Sequence, residues 1–162
     1  MADFTSVSHP FKPVWQDDSR ILILGTFPSV RSRSDGFYYG HPQNRFWKVI
    51  SALAGTDLPA TIDEKIALLK SEKIALWDVL ESCEIKGSSD QSIRAVIPND
   101  LSSILKDSAI HTIYLNGQKA GSLYHRHLEC QTALPAFILP STSPANAAWS
   151  LNRLLDAWQV IK

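Results

Sequence analysis

With 162 residues, 44% of them hydrophobic and 20% charged, the chain is long enough to bury one proper core and reads as a single domain spanning 1–162. Sixteen basic residues balance sixteen acidic ones, which speaks against a surface given over wholly to nucleic acid but leaves room for a local basic patch. No apolar run reaches the about 18 residues of a membrane span, and MADFTSVSHPFKP lacks a basic-then-apolar leader, so a cytoplasmic protein is expected.

The first regular element is RILILGT, Arg20 to Thr26, an unbroken apolar run closed by Gly25 and Pro28, as in a buried parallel strand. Asn44 can cap a helix through Phe46, Trp47, Val49, Ile50 and Leu53 that stops near Gly55. Thr61 to Glu64 is a capping box for a helix through Lys70, and IALWDV, 74–79, reads as a second strand. Cys83 and Cys130 are far apart and in no C-x-x-C; they are too few for a four-cysteine cluster and read as idle thiols. Asn99 or Asp100 can start a short helix through Leu105. HTIYL, 111–115, is a third strand closed by Asn116-Gly117, with a helix to about Leu128, and AFIL, 136–139, is a fourth strand. A last helix is expected from around Pro144 to Asn146 to the chain end. Its apolar stripe is Ala147, Leu151, Leu154, Leu155, Trp158 and Ile161, with Trp149 on the opposite side.

Repeated strand–helix units imply a parallel sheet covered on both faces, a three-layer α/β/α sandwich. Sites in such sheets lie beyond the carboxyl ends of the strands. That singles out three loops: Gly25 to Asn44, Asp78 to about Ser92, and Ser141 to Asn146. The first holds GTFPS, 25–29, and GFYYGHPQNRFW, 36–47, with neither G-x-x-x-x-G-K-[ST] nor G-x-G-x-x-G to suggest nucleotide chemistry. Phe46 and Trp47 suit the core. Phe37, Tyr38 and Tyr39 cannot easily all be buried, so at least one can offer a face to a planar ligand, worth about 1–3 kcal/mol per stacked base. The third loop sets three hydroxyls before a helix start, which suits phosphate or, more plainly, a cap by Ser143 or Asn146. His125 and His127 are two apart on a helix, on different sides, and His41 is the one histidine in a candidate loop. There is no G-x-S-x-G elbow and no spaced metal-ligand set.

Together GTFPS, GHPQNRFWKVI and STSPANA resemble the motifs of the uracil-DNA glycosylase superfamily, above all its hypoxanthine (deoxyinosine) DNA glycosylase branch, over nearly the whole chain. The resemblance implies a central four-stranded parallel sheet between helices. It also implies a monomeric enzyme, free of metal and cofactor, that flips a deaminated base from DNA and hydrolyses its N-glycosidic bond. By the same resemblance Asn44 is the catalytic amide and Tyr39 stacks on the flipped base. Phe27 stands where uracil enzymes carry Asp or Asn, and Ser141 where they carry His, so strong uracil activity is not expected. The wedge into the DNA stack falls at or beside Ala145, with Asn146 or Trp149 sharing the task.

Backbone N–H groups of Gly25, Thr26 and Phe27 could meet charge on the leaving base. Asp78, unless it is only a strand-end cap or salt-bridge partner, could accept the N1–H of hypoxanthine that adenine lacks. Asn44 likewise has a plainer role open to it, as the cap of its helix. Ser29, Ser141, Thr142, Ser143, Pro144, Ala145 and Asn146 form the expected DNA-contact set, with Arg31, Arg33 and Arg45 as further contacts. The competing readings are a uracil or mismatch-specific glycosylase, a non-catalytic nucleic-acid-binding module on the same fold and, last, a nucleotide hydrolase.

Overall fold

The computed structural model describes residues 3–162. The chain runs β1 (Thr5–Ser8), β2 (Ile21–Gly25), α1 (Val30–Asp35), α2 (Phe46–Ala54), α3 (Ile62–Ser71), β3 (Ile74–Asp78) and β4 (Leu80–Ile85). It continues through β5 (Arg94–Pro98), α4 (Ser102–Lys106), β6 (Thr112–Asn116), α5 (Gln118–His127), α6 (Glu129–Thr132), β7 (Ala136–Leu139) and α7 (Leu151–Trp158), which ends in a 3-10 turn over Gln159–Ile161.

The four expected strands pair in parallel in the order β3-β2-β6-β7. Strand alternation sends their side chains into two cores. Ile21, Ile23, Ile74, Leu76 and Tyr114 meet α2, α3 and α7 on one face. Leu22, Leu24, Ala75, Ile113 and Leu115 meet α4 and α5 on the other. The sheet is therefore the middle of three layers, as expected. Every residue of β2 is buried, and at about 1.5–3 kcal/mol per buried Leu or Ile this strand is the anchor of both cores. No helix among the described residues is long and apolar enough to cross a membrane.

Three features depart from the sequence expectation. First, the stretch after Asp78 is no simple loop: β4 turns back into β5, and β1 adds to its other edge, giving an antiparallel sheet β1-β4-β5. In β4 only Leu80, Cys83 and Ile85 are buried among polar neighbours, and β1 is almost wholly exposed, so neither carries an apolar run. Second, the loop after β2 contains α1, a six-residue helix capped by the Ser29 side chain, which accepts from Ser32 N at 3.1 Å.

Third, the last helix begins at Leu151, not between Pro144 and Asn146. Ser150 caps it through Arg153 N. The residues before it form turns, with Asn146 N donating to Ser143 O at 3.0 Å and Trp149 N to Asn146 O at 3.2 Å. One distant guanidinium braces them: Arg45 donates to Ser143 O at 3.0 Å, to Asn146 O at 3.1 Å and to Trp149 O. Of the expected stripe, Leu154, Trp158 and Ile161 are buried and Leu151 and Leu155 pack against the core, while Ala147 falls outside the helix. Trp149 lies in the preceding turns.

Candidate active site

A cleft of about 880 Å³ opens beyond the carboxyl ends of the parallel strands, large enough for a nucleobase with its sugar. All three expected loops reach it. Gly25 ends β2, Asp78 ends β3 and Asn116 ends β6. Glycine is required at 25 because of crowding: a Cβ there would stand 2.5 Å from Asp78 Oδ1 and 2.7 Å from the Tyr39 hydroxyl. Those two polar groups thus converge on a bare stretch of backbone. Beyond it, the N–H groups of Thr26 and Phe27 find no protein acceptor among the described residues and stay available to a ligand.

One side of the cleft floor is a network of uncharged groups whose two carboxamides are oriented by backbone donors. Phe46 N–H can only donate, and it lies 2.9 Å from Asn44 Oδ1, so the carboxamide is oriented unambiguously. Thr142 Oγ1 also donates to Asn44 Oδ1, at 2.9 Å. Thr142 N–H donates to Asn116 Oδ1 at 3.1 Å, which turns Asn116 Nδ2 toward Thr142 Oγ1 at 3.0 Å and the Tyr39 hydroxyl at 3.1 Å. Asn44 Oδ1 is thereby saturated, while its Nδ2 makes no hydrogen bond among the described residues. Asn44 thus holds the first N–H of α2, whose N-cap position is Arg45, and its side chain also lines the cleft.

Of the three aromatics before α2, Phe37 and Tyr38 are buried in the core and Tyr39 lines the cleft. Tyr39 sits at φ 54°, the left-handed region, and its ring stacks on Phe46 with centroids 4.2 Å apart and planes at 26°. One face is therefore covered, while the ring also borders the cleft. Burial, followed by the Asp78 carboxylate, holds the Tyr39 hydroxyl well above the ordinary tyrosine range, so it stays protonated.

The other side of the floor is ionisable. Asp78 Oδ2 lies 2.8 Å from His9 Nε2, and both side chains are nearly sealed, at 5% and 4% exposed. Asp90, on the 3-10 turn between β4 and β5, lines the cleft rim. Its carboxyl is pushed up to about 6 by loss of hydration against the cleft wall, then by Asp78, with a hydrogen bond to Thr26 and the charge of Lys119 pulling the other way. The residue as a whole is exposed, so water tempers these effects. His9 and Asp90 are the site residues that sequence reasoning did not single out. His9 comes from an arm with no apolar pattern, and Asp90 from a turn whose place beside Thr26 depends on an unforeseen hairpin.

The remaining expected residues divide by position. Thr142 is fully buried and works inside the network rather than on the surface. Ser29 lines the cleft but spends its hydroxyl on α1. Ser141 Oγ accepts from Ser143 N, Ser143 Oγ from Ala145 N, and Asn146 Nδ2 donates to Ser141 O, so the third loop is a run of self-braced turns, not a helix N-terminus. With Pro144 and the exposed Ala145 it forms one lip of the cleft. Arg45 points inward at that lip. Arg33 donates to Gly87 O at 3.0 Å and lies over Phe27, and Arg31 pairs with Asp35 at 2.9 Å. Cys83 is buried, its thiol pushed up to about 11 chiefly by that burial, and Cys130 is exposed; neither lines the cleft.

Comparison with known proteins gives a coherent set of relatives. The description of the uracil DNA glycosylase superfamily matches residues 13–162. The chain is 34% identical over 158 residues to a hypoxanthine DNA glycosylase of Methanosarcina acetivorans, covering 96% of this chain and 98% of that one. It is 38% identical over 151 residues to a hypoxanthine DNA glycosylase of Methanosarcina barkeri, covering 91% and 93%. A solution NMR structure from M. acetivorans, described there as a candidate uracil DNA glycosylase, superposes with a TM-score of 0.80 at 31% identity, covering 97% of this chain and 99% of that one.

Proposed function

The chain belongs to the uracil DNA glycosylase superfamily, and from that premise we propose that it is a DNA glycosylase hydrolysing the N-glycosidic bond of hypoxanthine extruded from DNA. The observation that carries this reading is the convergence on one cleft of a fixed carboxamide, a bordering tyrosine ring and a strand-end carboxylate. The flipped base lies against the open face of Tyr39. Asp78 Oδ1 accepts its N1–H. As the bond breaks, charge builds on the purine and is met by the N–H groups of Thr26 and Phe27. Since Asn44 Oδ1 is saturated by two donors, Asn44 acts through Nδ2, donating to the leaving base or to a lone pair of the water. It works by position, not as a proton acceptor.

The sugar becomes oxocarbenium-like, and the Asp90 carboxylate at the rim favours that positive charge. Ser29, Ser141, Ser143, Pro144, Ala145 and Asn146 face the DNA, Thr142 steadies them from behind, and Ala145 with Asn146 or Trp149 fills the vacated stack. On this reading the enzyme works as a cytoplasmic monomer and needs neither metal nor cofactor.

The test is release of bases from duplexes carrying hypoxanthine, uracil, xanthine or no lesion, scored as alkali-labile sites. Hypoxanthine is expected to be the preferred substrate. Asn44→Ala should slow its release by about a hundredfold to a thousandfold while the fold persists. Higher kcat/KM on uracil would point to a uracil or mismatch enzyme, and salt-sensitive DNA binding without abasic product to a non-catalytic module.

A further inference from the structure

We propose that His9 is a positioning residue that sets which base edge the cleft accepts, by donating its Nε2 proton to Asp78 Oδ2 and so keeping Oδ1 an acceptor toward the base. This rests on the hypoxanthine reading above. It goes further in naming the group that separates hypoxanthine from adenine, the parent base present in vast excess. The residues matched by the superfamily description begin at 13, so His9 and its strand lie outside them.

The N-terminal arm delivers His9 by a defined route. β1 pairs along β4, and His9 N donates to Glu81 O at 2.6 Å, which leads the ring beneath the end of β3. There the imidazole is boxed by Phe11 at 4.8 Å and by Phe27 and Tyr38, each at 5.9 Å between centroids. Nε2 lies 2.8 Å from Asp78 Oδ2, whereas Nδ1 is buried with no partner among the described residues. A buried N–H without an acceptor is rarer than a buried bare lone pair, so the single proton of a neutral ring sits on Nε2 and points at the carboxylate.

The consequence for recognition follows from where a proton on Asp78 could go. With Oδ2 occupied by the His9 donor, a proton gained by Asp78 would reside on Oδ1, facing the cleft. The carboxyl would then donate, matching the bare N1 of adenine instead of the N1–H of hypoxanthine. The titratable groups facing Asp78 are His9 from the arm, Tyr38 and Tyr39 from the first loop, and Asp90 from the β4–β5 turn. Asp90 is a like charge and the tyrosines are neutral. His9 is the one group among the described residues that bonds to the Asp78 carboxylate.

The experiment compares wild type, His9→Phe and His9→Gln on paired duplexes carrying hypoxanthine or adenine at the same site, between about pH 6 and 8. Phe fills the aromatic box without a donor; Gln restores a donor. His9→Phe should lose about tenfold to a hundredfold in kcat/KM on hypoxanthine and gain measurable adenine release, with most of this recovered in His9→Gln. Unchanged selectivity between hypoxanthine and adenine in a folded His9→Phe overturns the role of His9 alone. A wild type that leaves hypoxanthine in place overturns the functional reading, and this assignment with it. Imidazole ¹⁵N spectra of the wild type give a readout independent of any variant's folding: the Nε2–H tautomer is expected, and an Nδ1–H tautomer overturns the proposal.

Discussion

The two halves of the cleft floor are built from different chemistry. On one side Asn44, Thr142, Asn116 and Tyr39 form a chain of uncharged groups, its two carboxamides each oriented by a backbone N–H that can only donate. On the other side the buried Asp78 carboxylate meets His9, and Asp90 stands at the rim with its carboxyl pushed up to about 6. The uncharged half supplies geometry that does not change with pH. On the proposed reading the ionisable half supplies choice, because a carboxyl that accepts and one that donates fit different bases. A reaction that must act on a rare base and spare its parent has use for both.

The sharpest way to break the comparison is Asn116→Leu. It keeps the side-chain volume but removes the bonds to Tyr39 and Thr142 and leaves Thr142 N–H unpaired. Base release should fall by about a hundredfold or more, equally at all pH values, with a loss of roughly 2–4 kcal/mol in denaturant unfolding. A pH-dependent loss would show that the halves are not separate.

Gly25→Ala tests the seam between them. Its methyl would push on Asp78 Oδ1 and the Tyr39 hydroxyl together, so kcat/KM should drop by about tenfold or more with little change in the circular dichroism spectrum. An active variant would mean that the two groups need not approach so closely.

Asp90→Asn carries the smallest effect and isolates the ionisable half. The Asp90 carboxyl, raised to about 6, is charged at neutral pH and loses its charge as pH falls through that value. The wild-type rate should therefore decline below about pH 6, and the variant should lose that limb while running a few-fold slower at pH 7. An identical limb in the variant would assign it to another group.

The two halves were also unequally legible in the sequence. ILILG, IALWD and TIYLN announced the parallel sheet because residues buried on both faces leave no polar alternation, and the loops beyond them followed from that topology. Asn44 and Tyr39 stood in a segment too rich in aromatics and turn formers to be mere packing. His9 and Asp78 are 69 residues apart, and nothing local marks the arm that joins them: TSVS is an edge strand with little to bury. The start of α7 was misread for a related reason. Its apolar stripe extends back to Ala147, but that stretch forms turns, braced by Arg45 about a hundred positions upstream. Periodicity reports which face a segment would bury, not whether turns braced by a remote side chain interrupt it.

That same arginine has a consequence for how the lip and the carboxamide behave. Arg45 follows Asn44 in the chain, its N–H donates to Thr142 O at 3.1 Å, and its guanidinium holds the three carbonyls beyond. On the proposed reading, a duplex bearing on Pro144 and Ala145 would lean, through peptide oxygens, on the neighbour of Asn44. Seating and aiming would share one pivot.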